Sequence, residues 1–377
     1  MKSYLYNAQQ GFSDTSQYEI AENLLSWYDL NARRLPWRIK PEGQKTAKNP
    51  KKVPDPYRVW LSEVMLQQTT VATVKTYFEK FLTLWPTVEA MAASPQEDIL
   101  QAWAGLGYYA RARNLHKCAR IIAGDFGGIF PASEADLKKL PGIGDYTAAA
   151  IAAIAFGQYA VVVDSNVERV VSRLNRLAVP LPAAKKEIRP LTAQITPKRR
   201  AGDFAQAVMD LGASICTPKK PDCLACPLVN QCQARQKGDM EHYPVKAPKK
   251  TKPVRRALSF ALVHGGDILL ERRPQNGLLG GMPGLFHTPW VERPDFPDER
   301  IWSEHIPCPP NLAIAGGPLV SGSVSKHTFT HFHLETKVVL YQLKSRINVE
   351  NAFWQPLGDI ANAGLPTVFL KMARLIS

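Results

Sequence analysis

Apolar residues recur at helical spacing from about residue 18 to residue 235, so this part of the chain is predicted to be mostly α-helical. Residue types that favour helix starts occur at several places along this part of the chain. Asp55 followed by Pro56 makes a favourable N-cap and first helical position. Ser94 followed three residues later by Glu97 has the form of a capping box. We therefore expect a bundle of amphipathic helices joined by short glycine-rich turns.

One predicted helix carries an acid within its apolar stripe. In the stretch WLSEVMLQQTT (60–70) and the residue before it, Val59, Glu63 and Leu66 fall on one face at spacings of four and three. Glu63 either faces water at the edge of that face or is a buried carboxylate. Burial would raise its pKa and make it a candidate general acid. The pattern of one helix leaves both interpretations open.

The pattern changes near residue 236. Residues 243–256 hold six Lys or Arg, three Pro and no acid, which is typical of an extended linker. Beyond it, a Gly-Gly pair separates two apolar runs, and residues 326–343 alternate and are rich in β-formers. The predicted domains are a helical one (18–235), a basic linker (236–253) and a β-rich one (254–377) with a short helix near its end.

Charge narrows the class of partner. The 377-residue chain has a formal net charge of +14 and a pI near 9.5, which favours a polyanion, with nucleic acid ahead of a membrane surface. Residues 1–17 are polar, so neither a signal peptide nor a membrane span is expected there. A basic enzyme without a polyanionic partner remains the alternative.

Four cysteines are crowded into 17 residues, at positions Cys216, Cys223, Cys226 and Cys232. Thiolates are soft ligands, and four on one short loop suit an iron–sulfur cluster or zinc. Only one pair has the two-residue gap typical of zinc, and four unrelated thiols are the alternative. Metal-binding thiols indicate a reducing compartment, so we expect a cytoplasmic protein.

Two further segments combine a turn with the start of a helix. Gly142 and Gly144 belong to LPGIG (140–144), where backbone N–H groups and a helix N-terminus could contact a phosphate. Many helix–helix turns look similar, so the motif alone is weak. Asp164 ends an apolar run where the next helix should begin. It is an ordinary N-cap by position, and the helix N-terminus would keep its carboxylate ionised.

Taken together, these motifs resemble the helix-hairpin-helix DNA glycosylases of the endonuclease III superfamily, and more narrowly the MutY-type adenine DNA glycosylases. The resemblance rests on ordered matches along nearly the whole chain: LPWR (35–38), PYRVWLSEVMLQQT (56–69), WAGLGYYARARNLH (103–116), LPGIG (140–144), FAQAVMDLGASIC (204–216), the four cysteines and KHTFTHFHL (326–334). It implies an α + (α+β) chain, an all-α glycosylase domain followed by a β-rich Nudix-like domain. It also implies a monomer that acts on double-stranded DNA containing adenine opposite 8-oxoguanine or guanine.

The resemblance also implies roles for single residues. Adenine must leave the base stack before its glycosidic bond can be cut. The residues that would bind the flipped adenine and the gap it leaves are Trp37, Arg38, Leu66, Asp210, Gln68, Thr69, Leu106 and Tyr108. Glu63 would protonate the base and later activate water, while ionised Asp164 would stabilise the positive sugar, which calls for one raised and one lowered pKa.

Two further features refine the implied activity. Glycosylase/lyases of the superfamily carry a nucleophilic lysine after the hairpin, where this chain has Tyr146, so a monofunctional glycosylase is expected. Tyr146 would instead polarise the catalytic carboxylate or water. The four cysteines would hold a [4Fe–4S] cluster.

The Nudix-like domain lacks the glutamate-rich helix that binds magnesium, so its implied role is recognition. Phe329, Thr330 and His331 match the family's loop for 8-oxoguanine. The chain departs from the family at Ser165, where glycine is usual, and at Thr330, where serine is commoner. Asp145 and Glu168 are acidic on a surface expected to face DNA, and residues 40–54 are inserted.

Three alternatives stay open. A glycosylase/lyase for oxidised pyrimidines shares the helical motifs, although Tyr146 and the β-rich domain speak against it. A non-enzymatic iron–sulfur DNA-binding protein shares the charge and the cysteines. A Nudix hydrolase would need the magnesium helix that residues 280–296 do not provide.

Overall fold

A computed structural model of the chain describes residues 13–39, 41, 53–248, 251–274, 277–298, 305, 314–315 and 319–376. The chain divides into two compact units. The first comprises Met1–Ala93 and Asn114–Pro248, and the second comprises Ser94–Arg113 and Lys249–Ser377. Most of the inserted segment 40–54 lies outside the described residues. No helix in the described part is long and apolar enough to cross a membrane.

The first unit is helical, as predicted. In chain order the helices before the first strand are α1 (Asp14–Asn31), α2 (Pro56–Leu66), α3 (Val71–Leu84), α4 (Val88–Ala93), α5 (Gln96–Ala102), α6 (Ala110–Asp125), α7 (Glu134–Leu137), α8 (Asp145–Phe156), α9 (Ser165–Leu174), α10 (Lys185–Ile195), α11 (Ala201–Ser214) and α12 (Gln233–Lys237). Helix α5 belongs to the second unit, and α6 passes from the second unit to the first after Arg113.

Helix α2 carries the acid of the apolar stripe and is largely buried. It begins at Pro56, and the Asp55 side chain accepts a hydrogen bond from the Tyr57 N–H at 3.0 Å, which confirms the predicted cap. Its residues from Leu61 to Met65 are all buried, including Ser62 and Glu63. Since solvent reaches no face of this central stretch, the acid of the apolar stripe lies in the interior of the unit.

Helices α8 and α11 cross without an intervening side chain. Gly202, near the start of α11, lies against the backbone of Ala153 in α8. A Cβ at position 202 would lie 2.4 Å from the carbonyl oxygen of Ala153, which is closer than such atoms approach. Because α8 also packs against α2, this crossing fixes the wall opposite Glu63.

One predicted helix start differs from the structure. Helix α5 begins at Gln96 with Pro95 as its N-cap, so Ser94 is not the capping residue that the Ser94–Glu97 pattern predicts. Proline at the N-cap has no side-chain acceptor of its own for the first turn. The ring of Pro95 holds its φ at −57°, which is compatible with entry into this seven-residue helix.

The second unit is a mostly antiparallel sheet. Its strands are β1 (Val254–His264), β2 (Asp267–Arg272), β3 (Pro283–Gly284), β4 (Phe286–His287), β5 (Val291–Glu292), β6 (Leu319–Val320), β7 (Ser325–Thr328), β8 (His333–Gln342) and β9 (Ala352–Pro356). The hydrogen-bonded order β3-β2-β1-β8-β6 runs through a parallel β1–β8 pair. The predicted Gly-Gly turn joins β1 to β2, and the predicted final helix is α13 (Thr367–Ala373).

The sheet of the second unit buries an apolar core on each face, because alternate residues of β1 point to opposite sides. Ala261 and Val263 pack with Leu334 and helix α13 on one face, here called the α13 face. Leu258, Phe260 and Tyr341 pack on the other. Residues 236–248, the first part of the predicted linker, belong to the first unit, where Met240–His242 forms a short 3-10 helix.

Candidate active site

Glu63 is the central acid of the first unit. Its side chain is 6% exposed, and the phenolic O–H of Tyr146 donates a hydrogen bond to its Oε2 at 2.7 Å. Burial raises the pKa of Glu63 to about 7, while the Tyr146 hydrogen bond and the positive charge of Arg38 lower it and the charge of Asp164 raises it. Glu63 can therefore hold or release a proton near neutral pH.

A small pocket lies beside Glu63. Aromatic, aliphatic and polar side chains surround it, namely Trp37, Arg38, Val59, Ser62, Glu63, Ile154, Gln206 and Met209. Trp37 and Arg38 were predicted here from the sequence. Gln206 and Met209 were not predicted as pocket residues. Helical periodicity would have placed both within about one turn of the predicted Asp210. The mix of apolar walls and a few polar groups is typical of a small-molecule pocket.

Asp210 lies behind this cavity and is not among its lining residues. Its carboxylate is fully buried and accepts hydrogen bonds from Arg33 Nε at 2.5 Å, from the Arg33 backbone N–H at 3.0 Å and from Arg38 Nη1 at 2.7 Å. A buried carboxylate with two guanidinium partners fixes the direction of both. Asp210 thus orients Arg38, and Arg33 is a member of the site that the motif LPWR (35–38) does not include.

Asp164 is the N-cap of helix α9, as the capping interpretation predicts. Its Oδ1 accepts hydrogen bonds from the backbone N–H of Asn166 at 2.9 Å and of Val167 at 2.8 Å. Its Oδ2 accepts one from Asn166 Nδ2 at 2.8 Å. Burial nevertheless raises the pKa of Asp164, and these hydrogen bonds only offset part of the rise. The prediction of a lowered pKa was therefore wrong, because it considered the helix N-terminus without the burial.

A chain of hydrogen bonds runs from Asp164 to the cysteine loop. Asn166, which donates to Asp164, accepts at Oδ1 from Arg169 Nη2 at 2.9 Å. The same guanidinium donates from Nη2 to the carbonyl of Gly212 at 2.5 Å and from Nε to that of Cys216 at 2.7 Å. Arg169 therefore joins the N-terminal turn of α9 to the first cysteine.

The hairpin before α8 exposes its glycines. Gly142 adopts a positive φ of 77° and Gly144 is the N-cap of α8, so both present backbone to solvent on either side of the buried Ile143. A left-handed residue at 142 is readily formed only by glycine. Asp145, one of the two acids noted as unfavourable near DNA, forms an ion pair with Lys138.

The other unfavourable acid is also paired. Glu168 lies within 2.8 Å of Lys185 Nζ. Both acids therefore have a cation beside them, which reduces the negative potential that each would add to this surface. Ser165, which stands where glycine is usual in the family, is the first residue of α9. Ordinary helical geometry therefore accommodates the serine.

Three predicted residues follow Glu63 at the end of α2. Leu66 is half-buried and does not line the cavity, while Thr69 is half-buried. Gln68 is exposed and adopts φ = 57°, which is uncommon for a residue other than glycine. Such strain is often found where a side chain is held for a function. The α2 terminus thus holds the Gln68 side chain in solvent.

Two predicted residues lie in the second unit. Tyr108 is 50% exposed and also has a positive φ, of 49°. Leu106 is buried, and its carbonyl accepts a hydrogen bond from Arg111 Nη2 at 3.0 Å. The Arg111 guanidinium also lies over the Tyr108 ring, with its carbon 5.7 Å from the ring centroid. This cation–π contact with Arg111 therefore holds the Tyr108 ring in its exposed position.

The predicted recognition residues also lie in the second unit, in the turn that joins β7 to β8. Thr328 pairs with His333, so Phe329, Thr330, His331 and Phe332 form the turn itself. The Phe329 N–H donates to the Phe332 carbonyl at 2.9 Å. Thr330 and His331 are exposed, whereas Phe329 is half-buried and Phe332 is buried. The turn therefore presents a hydroxyl and an imidazole to solvent.

The four clustered cysteines line a small cavity in the first unit, together with Arg173 and Met240. All four are free thiols. Arg173 is almost fully buried and donates from Nη1 to Cys216 Sγ at 3.2 Å and to the Thr217 carbonyl at 2.8 Å. Among the described residues, no three His, Cys, Asp or Glu side chains converge on a point that could hold a single metal ion.

Comparison with known proteins agrees with this geometry. Residues 61–195 match the HhH-GPD superfamily base excision DNA repair protein family, and residues 259–375 match the NUDIX domain. The adenine DNA glycosylase of Homo sapiens is 33% identical over 412 residues, which cover 94% of this chain and 73% of the human protein. The adenine DNA glycosylase of Buchnera aphidicola from Acyrthosiphon pisum is 33% identical over 364 residues, covering 95% of this chain and 97% of the relative.

Among solved structures, a thermostable thymine-DNA glycosylase is similar with a TM-score of 0.52 and 29% identity. The similarity covers 59% of this chain and 98% of that protein. The predicted fold class, a helical helix-hairpin-helix domain followed by a β-rich Nudix-like domain, is confirmed. The chain belongs to the adenine DNA glycosylase family, the enzymes of base excision repair that hydrolyse the N-glycosidic bond of adenine.

Proposed function

We propose that this protein is a monofunctional glycosylase that excises adenine paired with 8-oxoguanine or guanine in double-stranded DNA. The observation that carries the proposal is Glu63, a buried acid with a pKa of about 7 beside a cavity lined by aromatic and polar groups. An acid that titrates near the operating pH can donate a proton to a leaving group and accept one afterwards.

The chemistry needs two carboxyl groups with different tasks. Cleavage of the glycosidic bond places positive charge on the sugar and negative charge on the departing adenine. Protonated Glu63 donates its proton to the base, which makes adenine a neutral leaving group. The resulting carboxylate then removes a proton from the attacking water.

Asp164 takes the other task. Its two oxygens accept three hydrogen bonds from Asn166 and Val167, which favour the ionised form although burial opposes it. A fixed carboxylate stabilises the positive charge that develops on the sugar. The family resemblance of the motif supports this role, as does the effect of the Asp164 charge on the pKa of Glu63.

Tyr146 supports a glycosylase without lyase activity. Its hydroxyl donates to Glu63, and burial raises its pKa well above the ordinary value, so it stays protonated. A neutral phenol cannot form the Schiff base with the sugar that a lyase requires. The remaining role for Tyr146 is to hold one oxygen of Glu63 while the other faces the base.

Contacts with DNA would come from exposed groups of both units. Gln68 is exposed in a positive-φ conformation, and we propose that it fills the space left by the flipped adenine. Tyr108 is likewise exposed with a positive φ, and we propose that it wedges beside the base that was opposite adenine. Gly142 and Gly144 offer backbone N–H groups for a phosphate. The net charge of +14 supports strong, salt-dependent binding.

We also propose that the cysteine loop holds a [4Fe–4S] cluster. The four thiols surround a cavity, whereas a single zinc ion would require them to converge within about 2.3 Å of one point. Arg173 and the loop carbonyls that it bonds would hold Cys216 in place, and the bound cluster would supply a rigid loop near DNA. Such thiolate chemistry suits a reducing compartment, and we propose the bacterial cytoplasm and a monomeric state.

The β7–β8 turn is proposed to recognise 8-oxoguanine. Thr330 is exposed at the tip of the turn, and its hydroxyl can both donate and accept a hydrogen bond. 8-Oxoguanine differs from guanine in having an N7–H donor and an O8 acceptor, which are the partners that such a hydroxyl can distinguish.

The test is adenine release from a duplex with one A:8-oxoguanine pair, with and without Glu63→Gln. We expect release to fall by about 10² to 10⁴-fold in the variant while duplex binding persists. Unchanged release in the variant would contradict the acid role of Glu63. Duplex binding by the unaltered protein without any adenine release would favour a non-enzymatic DNA-binding protein. Strand scission without alkali would favour the glycosylase/lyase, and magnesium-dependent nucleotide hydrolysis would favour a Nudix hydrolase.

The specificity has its own test. Thr330→Ala should lower the ratio of excision rates from A:8-oxoguanine and A:G duplexes, with most of the loss on the first substrate. Equal rates of the unaltered protein on both duplexes would contradict the proposed preference. Thr288→Ala removes a buried hydroxyl of the same domain and serves as a control for stability.

A further inference from the structure

The β7–β8 turn has polar residues at its tip and aromatic residues at its base. Phe329 and Phe332 occupy the first and last positions and stack with their ring centroids 4.7 Å apart. Thr330 and His331 lie between them and contact solvent. The position of the two exposed side chains therefore depends on how firmly the Phe329 and Phe332 rings are held.

Trp290 lies between these rings and the core of the α13 face. Its ring centroid is 5.5 Å from that of Phe329, with 34° between the planes, and 6.4 Å from that of Phe332. On its other side it lies 6.0 Å from Phe369 of helix α13. Within the part of the chain that the structure describes, no other aromatic ring lies against both turn phenylalanines and Phe369: His287 contacts Phe369 only, and His327 contacts Phe329 only.

A cation and a second ring hold Trp290 itself. The guanidinium carbon of Arg273 lies 5.5 Å from the Trp290 centroid and 5.6 Å from that of Phe369. The His287 ring lies 4.9 Å from Trp290. Contacts of this type contribute through ring geometry and not only through buried area. Trp290 is therefore fixed on the side away from the turn.

The indole N–H of Trp290 is buried and has no hydrogen-bond acceptor among the described residues. An unmade hydrogen bond of a buried donor costs about 1–3 kcal/mol. The tryptophan therefore contributes through its ring surface and not through its N–H. A phenylalanine at this position would keep an aromatic surface and remove the unsatisfied donor.

We propose that Trp290 is a positioning residue for specificity. By holding Phe329 and Phe332 it fixes the place of Thr330, and so it controls the preference for 8-oxoguanine opposite adenine. This inference rests on the proposed function of the turn. Trp290 packs at the base of the turn and does not line the pocket beside Glu63, so its effect should fall on the choice between substrates and not on the cleavage chemistry.

The test compares two tryptophans of the same domain. Trp290 packs on the α13 face and Trp354 on the opposite face, where its Nε1 donates to the Ile347 carbonyl at 3.0 Å. Both are half-buried. Single-turnover adenine release would be measured for Trp290→Ala, Trp290→Phe and Trp354→Ala on A:8-oxoguanine and A:G duplexes, and expressed as the ratio of the two rates.

We expect Trp290→Ala to lower this ratio about three- to tenfold, the range that loss of aromatic pairing energy gives. Trp290→Phe should restore most of it, and Trp354→Ala should leave it unchanged. An unchanged ratio in Trp290→Ala, or an equal fall in Trp354→Ala, would overturn the proposal. The ratio does not depend on the fraction of active protein, and Trp290→Leu gives the same comparison if the alanine variant does not fold.

Thr330→Ala separates this inference from the proposed function. If Thr330→Ala lowers the ratio and Trp290→Ala does not, the turn recognises the base without help from Trp290. If neither variant changes the ratio, the recognition role of the turn itself is wrong.

Discussion

The Tyr146 hydroxyl lies 2.7 Å from Oε2 of Glu63 and donates its hydrogen to it. The two residues are 83 positions apart, on helices α8 and α2 that pack together. The bond stabilises the ionised form of Glu63 and thereby limits the rise in pKa that burial causes. The tyrosine therefore sets the pH range in which Glu63 carries a proton.

Tyr146→Phe should move the pH dependence of adenine excision. Without the donor the pKa of Glu63 rises further, so the alkaline limb of the rate profile should shift upward by roughly one pH unit. Single-turnover rates between pH 5 and 9 would measure the shift. Tyr159→Phe removes a hydroxyl that contacts the Ala193 carbonyl in the same unit and should leave the profile in place. A downward shift would contradict the assignment of Glu63 as the acid.

Glu63→Gln should stabilise the folded protein more as the pH rises. The unfolded chain releases this proton near pH 4.5 and the folded protein near pH 7, so the free energy of unfolding of the unaltered protein falls across this window. The variant has no such group, and its advantage should reach the order of 3 kcal/mol above pH 7. Thermal unfolding at pH 5 and pH 8 tests this, with exposed Glu22→Gln as the control. An advantage that is equal at both pH values would argue against a raised pKa.

Asp164→Asn should distinguish the role of Asp164 as the N-cap of α9 from the role of its negative charge. Asparagine can keep both backbone hydrogen bonds at its Oδ1 but loses the bond that Asn166 Nδ2 donates to Oδ2, so stability should fall by about 0.5–1.5 kcal/mol. The negative charge is lost, and adenine excision should fall by about 10² to 10³-fold. Asp164→Ala would lose the cap as well as the charge and should destabilise by about 1 kcal/mol more than Asp164→Asn. Full activity in Asp164→Asn would leave Asp164 with a capping role only.

Cys226→Ser should lower the iron and sulfide content of the purified protein and weaken duplex binding. Cys226 lines the cysteine cavity, whereas Cys118 is buried in α6 and is not among the residues that line it. Cys118→Ser is therefore the matched control and should retain iron. One bound zinc per chain in the unaltered protein would contradict the [4Fe–4S] proposal.

The sequence was sufficient to predict elements whose signals are local. Asp55 and Pro56 mark the start of α2, and the Gly265–Gly266 pair marks the β1–β2 turn, because capping and tight turns depend on neighbouring residues. The burial of Glu63 could not be predicted in this way, because the periodicity of α2 is compatible with either a buried or a solvent-facing acid. Only the packing of α2 against α3 and α8 places it in the interior.

Other features of the site depend on contacts that sequence spacing cannot give. The raised pKa of Asp164 results from burial that outweighs its hydrogen bonds. Arg33 joins Asp210 across 177 positions, and Gln206 and Met209 reach the cavity only because α11 crosses α8. Helix α5 begins at Gln96 with Pro95 as its N-cap. The Ser94–Glu97 pattern of residue types does not tell whether Ser94 or Pro95 occupies the N-cap position.

The contact between Gly202 and Ala153 has a mechanical consequence. Tyr146 precedes Ala153 by seven residues and Met209 follows Gly202 by seven, and the Tyr146 hydroxyl lies 3.6 Å from Met209 Sδ. The two antiparallel helices therefore touch at two places about 10 Å apart. Any side chain at position 202 would push α11 away from α8 at Ala153. The same displacement would move Met209 away from Tyr146 at the other contact of the two helices. Gly202, one of the two glycines of α11, thus sets the width of the pocket beside Glu63.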